Sequence, residues 1–172
     1  MTGKVKPIVG ILTGNGSLFE GVLKDLEKSF GPHDVLGDWI FFEHTTYYNE
    51  EMGEGLNRRF VSFENLIESW DAGKFKGWIK EIEEKYSIDG KRQVNLDPGY
   101  IDANKVVLIT GKRGAHKIAL PGGVWADMLL WYNKGWVPLP WAFPDFRDGK
   151  LFPVFMEMRG KFKKQTKVVV SA

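Results

Sequence analysis

Val5-Lys6-Pro7-Ile8-Val9-Gly10-Ile11-Leu12 is a nearly continuous apolar run closed by Thr13-Gly14-Asn15-Gly16, the pattern of a buried strand ended by a turn. In Ser17–Phe30 the apolar residues Leu18, Phe19, Val22, Leu23, Leu26 and Phe30 recur at three- and four-residue spacing with Glu20, Lys24, Asp25, Glu27 and Lys28 between them. That spacing predicts an amphipathic helix, capped by Ser17 and stopped by Gly31-Pro32. Asp38–Phe42 and Arg59–Phe63 are aromatic and β-branched enough to predict a second and a third strand. Phe75, Trp78, Ile79, Ile82 and Tyr86 share one face of a predicted second helix over Phe75–Tyr86. Arg92–Leu96 then predicts a strand, and Asp97-Pro98-Gly99 a turn, because Pro fixes φ and Gly accepts φ > 0.

The order β-α-β-β-α-β is the connectivity of a ferredoxin-like sandwich, with two amphipathic helices on one face of the sheet. Lys105–Thr110, His116–Leu120 and Val124–Tyr132 predict an added antiparallel extension joined by Gly-containing turns. The expected fold class is therefore α+β with a mostly antiparallel sheet. A Pro- and aromatic-rich arm follows at about 136–147, and over Trp136–Phe143 Pro138 and Pro140 exclude helix and central strand. Leu151–Lys163 predicts a last helix, and a basic tail runs from about 159 to 172. At 172 residues the expectation is one domain spanning 1–172.

Composition narrows the function classes. Seven Trp and twelve Phe supply large buried area, and most should serve the core. No cysteine is present, which removes disulfides, thiolate nucleophiles and Cys-based metal sites. The N-terminus lacks a secretory apolar region, and no apolar stretch approaches the roughly 20 residues that span a bilayer, so the expectation is a cytoplasmic protein with no membrane partner. A net charge of +2 argues against a nucleic-acid partner, although the tail interleaves Phe162 with basic residues.

Candidate chemistry sits at strand ends. If Val94 and Leu96 face the core, Asn95 and Asp97 lie on the other face, where an amide and a carboxylate can meet a ligand. The loop Glu43–Gly53 crowds His44, Tyr47, Tyr48, Glu50 and Glu51 together, but His44 has no second His at a ligand interval, so no metal is assigned. Thr110–His116 is a basic Gly-containing turn whose Lys112 and Arg113 suit a phosphate or carboxylate, yet it is no P-loop. Gly14-Asn15-Gly16-Ser17 is a second place for an anion, at a helix N-terminus. Asp127 stands among Trp125, Leu129 and Trp131, where a carboxylate needs a partner, and Arg147 is one candidate for Asp127 or Asp97.

The expected site thus takes Asp97, His116 and Glu50 as acid or base candidates, and Asn95, Lys112, Arg113, Tyr47, Arg147 and Asp127 as ligand contacts. The ligand expected is a small anionic molecule, a nucleotide or a phosphorylated metabolite; no cofactor is specified. The alternative is an interaction module in which Trp136–Phe146 docks a partner or a second copy of the chain.

Thr46-Tyr47-Tyr48-Asn49-Glu50-Glu51-Met52-Gly53, Arg59-Phe60-Val61-Ser62-Phe63, Val94-Asn95-Leu96-Asp97-Pro98-Gly99-Tyr100 and Pro140-Trp141-Ala142-Phe143-Pro144-Asp145-Phe146-Arg147 together resemble a prokaryotic family of small domain-of-unknown-function proteins. The resemblance spans nearly the whole chain and implies no assigned reaction. Some members bear a GTP-binding label, for which this sequence has neither a P-loop nor an N-K-x-D motif. What the resemblance adds is placement, because its signature stretches fall on the same polar loops and bring Glu51 and Asp145 into the set.

Overall fold

A computed structural model of the chain describes residues 3–43 and 45–170, with side chains through 167. β1 (Lys4–Thr13) is buried from Val5 onward, as its apolar run requires. A short 3-10 turn, Gly16–Leu18, leads into α1 (Phe19–Phe30), and its cap is Asn15 rather than Ser17. The Asn15 side-chain oxygen accepts from the Ser17 backbone N–H at 3.2 Å, the geometry an N-cap amide favours. After Gly31 come β2 (His33–Leu36) and the two-residue β3 (Ile40–Phe41), so the expected strand over Asp38–Phe42 is largely displaced to an earlier, more polar segment.

α2 (Asn49–Met52) is a single turn, followed by β4 (Asn57–Phe63), β5 (Ile67–Glu68) and α3 (Phe75–Lys85). β6 (Val94–Ile101) runs straight through Asp97-Pro98-Gly99, where a turn was expected. The β6–β7 ladder starts only at Gly99↔Leu108, and a ladder end tolerates a proline. Gly99 is required by close approach, since a Cβ there would fall against the Val107 carbonyl oxygen. β7 (Lys105–Thr110), β8 (Ile118–Leu120), β9 (Val124–Tyr132) and β10 (Trp136–Pro138) extend the sheet, and α4 (Pro144–Arg147) and α5 (Phe152–Val170) complete the chain. The expected basic tail is, from Arg159 to Val170, the second half of α5.

Neighbouring strands pair antiparallel in the order β10-β9-β7-β6-β1-β4-β2. The segment β6-β1-β4-β2 with α1 and α3 as crossovers is the ferredoxin-like unit, and β7, β9 and β10 are the added extension. Alternation along the strands divides the apolar residues into two clusters. Val9, Ile11, Val61, Phe63, Val94 and Leu96 pack against α1 and α3. Ile8, Phe60, Ile101, Leu129 and Leu130 pack on the opposite face against Trp136, Phe146, Phe155 and Met158. Three layers result, with α4 and α5 forming the third.

α5 is clipped down by Lys6, which is fully buried on that second face. Its ammonium meets Asp34 at 2.5 Å, the Phe63 carbonyl at 2.9 Å and the Gln165 side-chain oxygen at 2.9 Å. Burial lowers the Lys6 pKa, and the Asp34 contacts oppose that shift. Phe162, the aromatic of the expected tail, is 7% exposed and so belongs to the packing rather than to a stacking surface. α5 covers the end of the face that carries Lys6, Ile8, Val35 and Phe60, and leaves the other end to polar residues. Among the described residues no helix is long and apolar enough to cross a membrane.

Candidate functional site

On the half of the sheet that α5 leaves bare, β-strand alternation brings Arg58, Asn95, Asp97, Leu108, Thr110 and Asp127 to one surface. They line a cleft of about 630 Å³. Phe42, Thr45, Tyr47 and Tyr48 wall one side of it, and Phe143, Pro144 and Asp145 of the aromatic arm and α4 another. Lys76, Arg92, Lys112 and Lys117 add four cations to the lining. From Arg58 on β4 to Asp127 on β9 the floor crosses four strand spacings, roughly 19 Å of sheet.

Arg58 is the centre of the floor. It is 6% exposed and divides its guanidinium between two carboxylates, Nη2 donating to Asp97 at 2.9 Å and Nη1 to Asp145. Its plane also lies over the Phe42 ring at 4.6 Å, a cation–π contact that shields the pair from water. Burial works against the charge, but Asp97 and Asp145 outweigh it and raise the Arg58 pKa. The arrangement ties α4 to the sheet through one side chain. Burial, then the charge of Asp97, pushes the Tyr48 hydroxyl up to about 12.

A second arginine orients the amide. Arg92 forks onto Glu51 at 2.8 and 3.0 Å, reaches Glu83 at 3.2 Å, and donates to the Asn95 side-chain oxygen at 2.7 Å. The Asn95 Oδ1 is thereby used, which turns its Nδ2 into the free end of the amide. At the β9 end, Asp127 is 4% exposed, with His116 Nε2 3.3 Å from one oxygen and Lys117 Nζ 3.6 Å from the other. The His116 ring stacks on Trp141 at 4.7 Å, and Trp141 donates its indole N–H to the Met128 carbonyl at 2.8 Å.

Six buried side-chain polar atoms lack a hydrogen-bond partner among the described residues, and four of them belong to this cleft: Arg58 Nε, Asn95 Nδ2, Asp127 Oδ1 and Asp145 Oδ1. Buried polar groups are otherwise satisfied almost throughout folded proteins, so this concentration marks the cleft. Two are donors and two are acceptors. Among the described residues no group of three or more His, Asp or Glu side chains is placed to hold a metal ion.

Of the residues the sequence singled out, Asn95, Asp97, Asp127, Lys112 and Tyr47 come together in the cleft, and His116 stands behind Asp127. Glu50, Arg113 and Arg147 are exposed and outside the lining; Glu51, one residue on from Glu50, is the carboxylate that reaches Arg92. Asp97 and Asp127 take Arg58, His116 and Lys117 as partners, not the candidate Arg147. The Gly14–Ser17 turn lies outside the lining, and His44 lies outside the described residues. Arg58 went unnoticed because the strand was expected to begin at Arg59. The signal for it was the alternation Arg58, Phe60, Ser62, which sets one arginine on the inner face.

A ferredoxin-like unit with an antiparallel extension and a polar, charged cleft on its second sheet face defines the class of this protein. The chain belongs to the family described as domain of unknown function DUF4416, whose model matches residues 3–162. Among curated proteins and solved structures, none matches the chain.

Proposed function

We propose that this is a cytoplasmic protein that binds a small anionic ligand, a nucleotide or a phosphorylated metabolite, in the cleft between α4 and the wall of Phe42, Tyr47 and Tyr48. The observation that carries the reading is the cluster of four buried polar atoms without a hydrogen bond in one cleft whose lining also holds Lys76, Lys112 and Lys117. Lys112 has no carboxylate partner among the described residues; its ammonium meets only the Tyr47 hydroxyl at 3.4 Å and the ring face. A cation so placed suits a phosphate or carboxylate entering from solvent. The volume falls within the range of small-molecule sites.

The reading is of binding. Asp97 is engaged by Arg58, and His116 reaches the cleft only through Asp127, so both suit holding and orienting a ligand. The competing interaction module keeps only part of its surface, because Trp136 is 6% exposed inside the second cluster, whereas Trp141, held by Met128 and His116, stays 40% exposed. A thermal-shift titration against nucleotides, sugar phosphates and inorganic phosphate tests the proposal. A ligand a hundredfold above its Kd stabilises by about 2.7 kcal/mol, roughly 5–10 °C in Tm at this chain length. The shift should shrink in Lys112→Ala, an exposed position, and a panel with no shift in the wild type would sink the idea.

A further inference from the structure

We infer that the ligand of this cleft is nucleotide-like, a planar nitrogen heterocycle joined to a phosphate, with the ring against Tyr47 and Phe143 and the phosphate at Lys112. This rests on the anion-binding reading and narrows it. Three observations support the narrowing. Tyr47 and Phe143 both line the cleft yet are 65% and 50% exposed, so each presents an aromatic surface at its mouth. Aromatic faces at a binding site select flat, polarisable rings, because stacking replaces water on both surfaces.

Second, the free cation and one of those rings are a single unit. The Lys112 ammonium lies 4.8 Å from the Tyr47 ring centroid, and Tyr47 is braced edge-to-face by Tyr48 at 5.0 Å. A base lying on such a ring therefore has a cation within reach of a phosphate attached to it. Third, the unpartnered atoms ask for more than an anion. Arg58 Nε and Asn95 Nδ2, with no hydrogen bond of their own, require acceptors, while Asp145 Oδ1 beside them requires a donor. The ring edge of a nucleobase carries N–H donors beside carbonyl or ring-nitrogen acceptors, whereas a phosphate monoester at neutral pH is mostly the dianion and offers almost only acceptors.

Isothermal titration of the whole chain with AMP, GMP, CMP and UMP, ribose 5-phosphate and inorganic phosphate tests this, using wild type, Tyr47→Ala, Phe143→Ala and the double variant. At least one nucleotide should bind roughly tenfold to hundredfold more tightly than ribose 5-phosphate, and that advantage should disappear in the double variant. Both substitutions are at exposed rings, so folding is expected to survive, and circular dichroism checks it. Ribose 5-phosphate binding as tightly as every nucleotide, or an advantage untouched in the double variant, overturns the inference while leaving anion binding intact. Absence of binding by any of the phosphate compounds overturns both.

Discussion

Replacing Arg58 by Met tests whether the charged floor of the cleft is also a structural joint. Arg58 and Asp145 have side chains each 7% exposed, whereas the Asp97 side chain is 26% exposed. When the guanidinium goes, Asp97 can turn to water, but Asp145 is left as a buried carboxylate with neither oxygen partnered. Stranding one member of a buried pair costs about 3–5 kcal/mol, a large share of the roughly 5–15 kcal/mol that folded domains possess. At this chain length that corresponds to a Tm lower by roughly 6–20 °C. Urea denaturation with a common m-value measures it. The double variant Arg58→Met, Asp145→Leu removes both charges and fills the space with apolar atoms, and most of the lost stability should return. A single variant that loses less than about 1 kcal/mol, or a double variant no more stable than the single, would refute the argument that Arg58 holds α4 through Asp145.

Four further outcomes are expected. Gly10→Ala sets a Cβ 2.7 Å from Phe60 Cζ and should cost about 1–3 kcal/mol, with Phe60→Leu in the same chain recovering part of it; denaturant midpoints decide. Glu51→Ala should lower stability by about 1 kcal/mol through the loss of its Arg92 fork, whereas exposed Glu50→Ala should change nothing measurable. Lys85 at 2.7 Å holds the Asp25 carboxyl well below the usual carboxylate range, against the opposing effect of burial and with help from Lys28 and Tyr86. Because the folded pKa lies below the unfolded one, that stabilisation is present above about pH 4 and fades as pH falls, so Asp25→Asn should flatten the acid limb of a stability–pH curve. Tyr48 and Tyr86, each pushed up to about 12 chiefly by burial, favour the fold below about pH 10 and lose that contribution as pH rises through 12; ultraviolet titration should lose one late-ionising tyrosine in Tyr48→Phe.

Periodicity made much of the fold legible. β1, α1, α3, β7 and β9 follow from apolar spacing alone, because each buries a face whose repeat matches its geometry. β2 was hidden, since His33-Asp34-Val35-Leu36 has only two apolar residues and earns its place by pairing with β4 rather than by propensity. Asp97-Pro98-Gly99 misled for the opposite reason. Its turn chemistry is strong locally, but β1 pairs with all eight residues of β6, and tertiary pairing overrides it. The cleft was half visible: Asn95 and Asp97 follow from alternation beside Val94 and Leu96, and Lys112 from its Gly-containing turn. The Arg58–Asp145 pair bridges residues far apart in sequence, and no spacing rule relates them.

Where a ligand binds on the molecule is the most direct test of the cleft's role. A crystal structure of the protein with the tightest phosphorylated compound from the titrations should show it in the cleft, its phosphate at Lys112 and its polar edge on Asn95, Arg58 and Asp145. Density for that compound elsewhere on the molecule, or an empty cleft at concentrations that saturate the protein in solution, would contradict it.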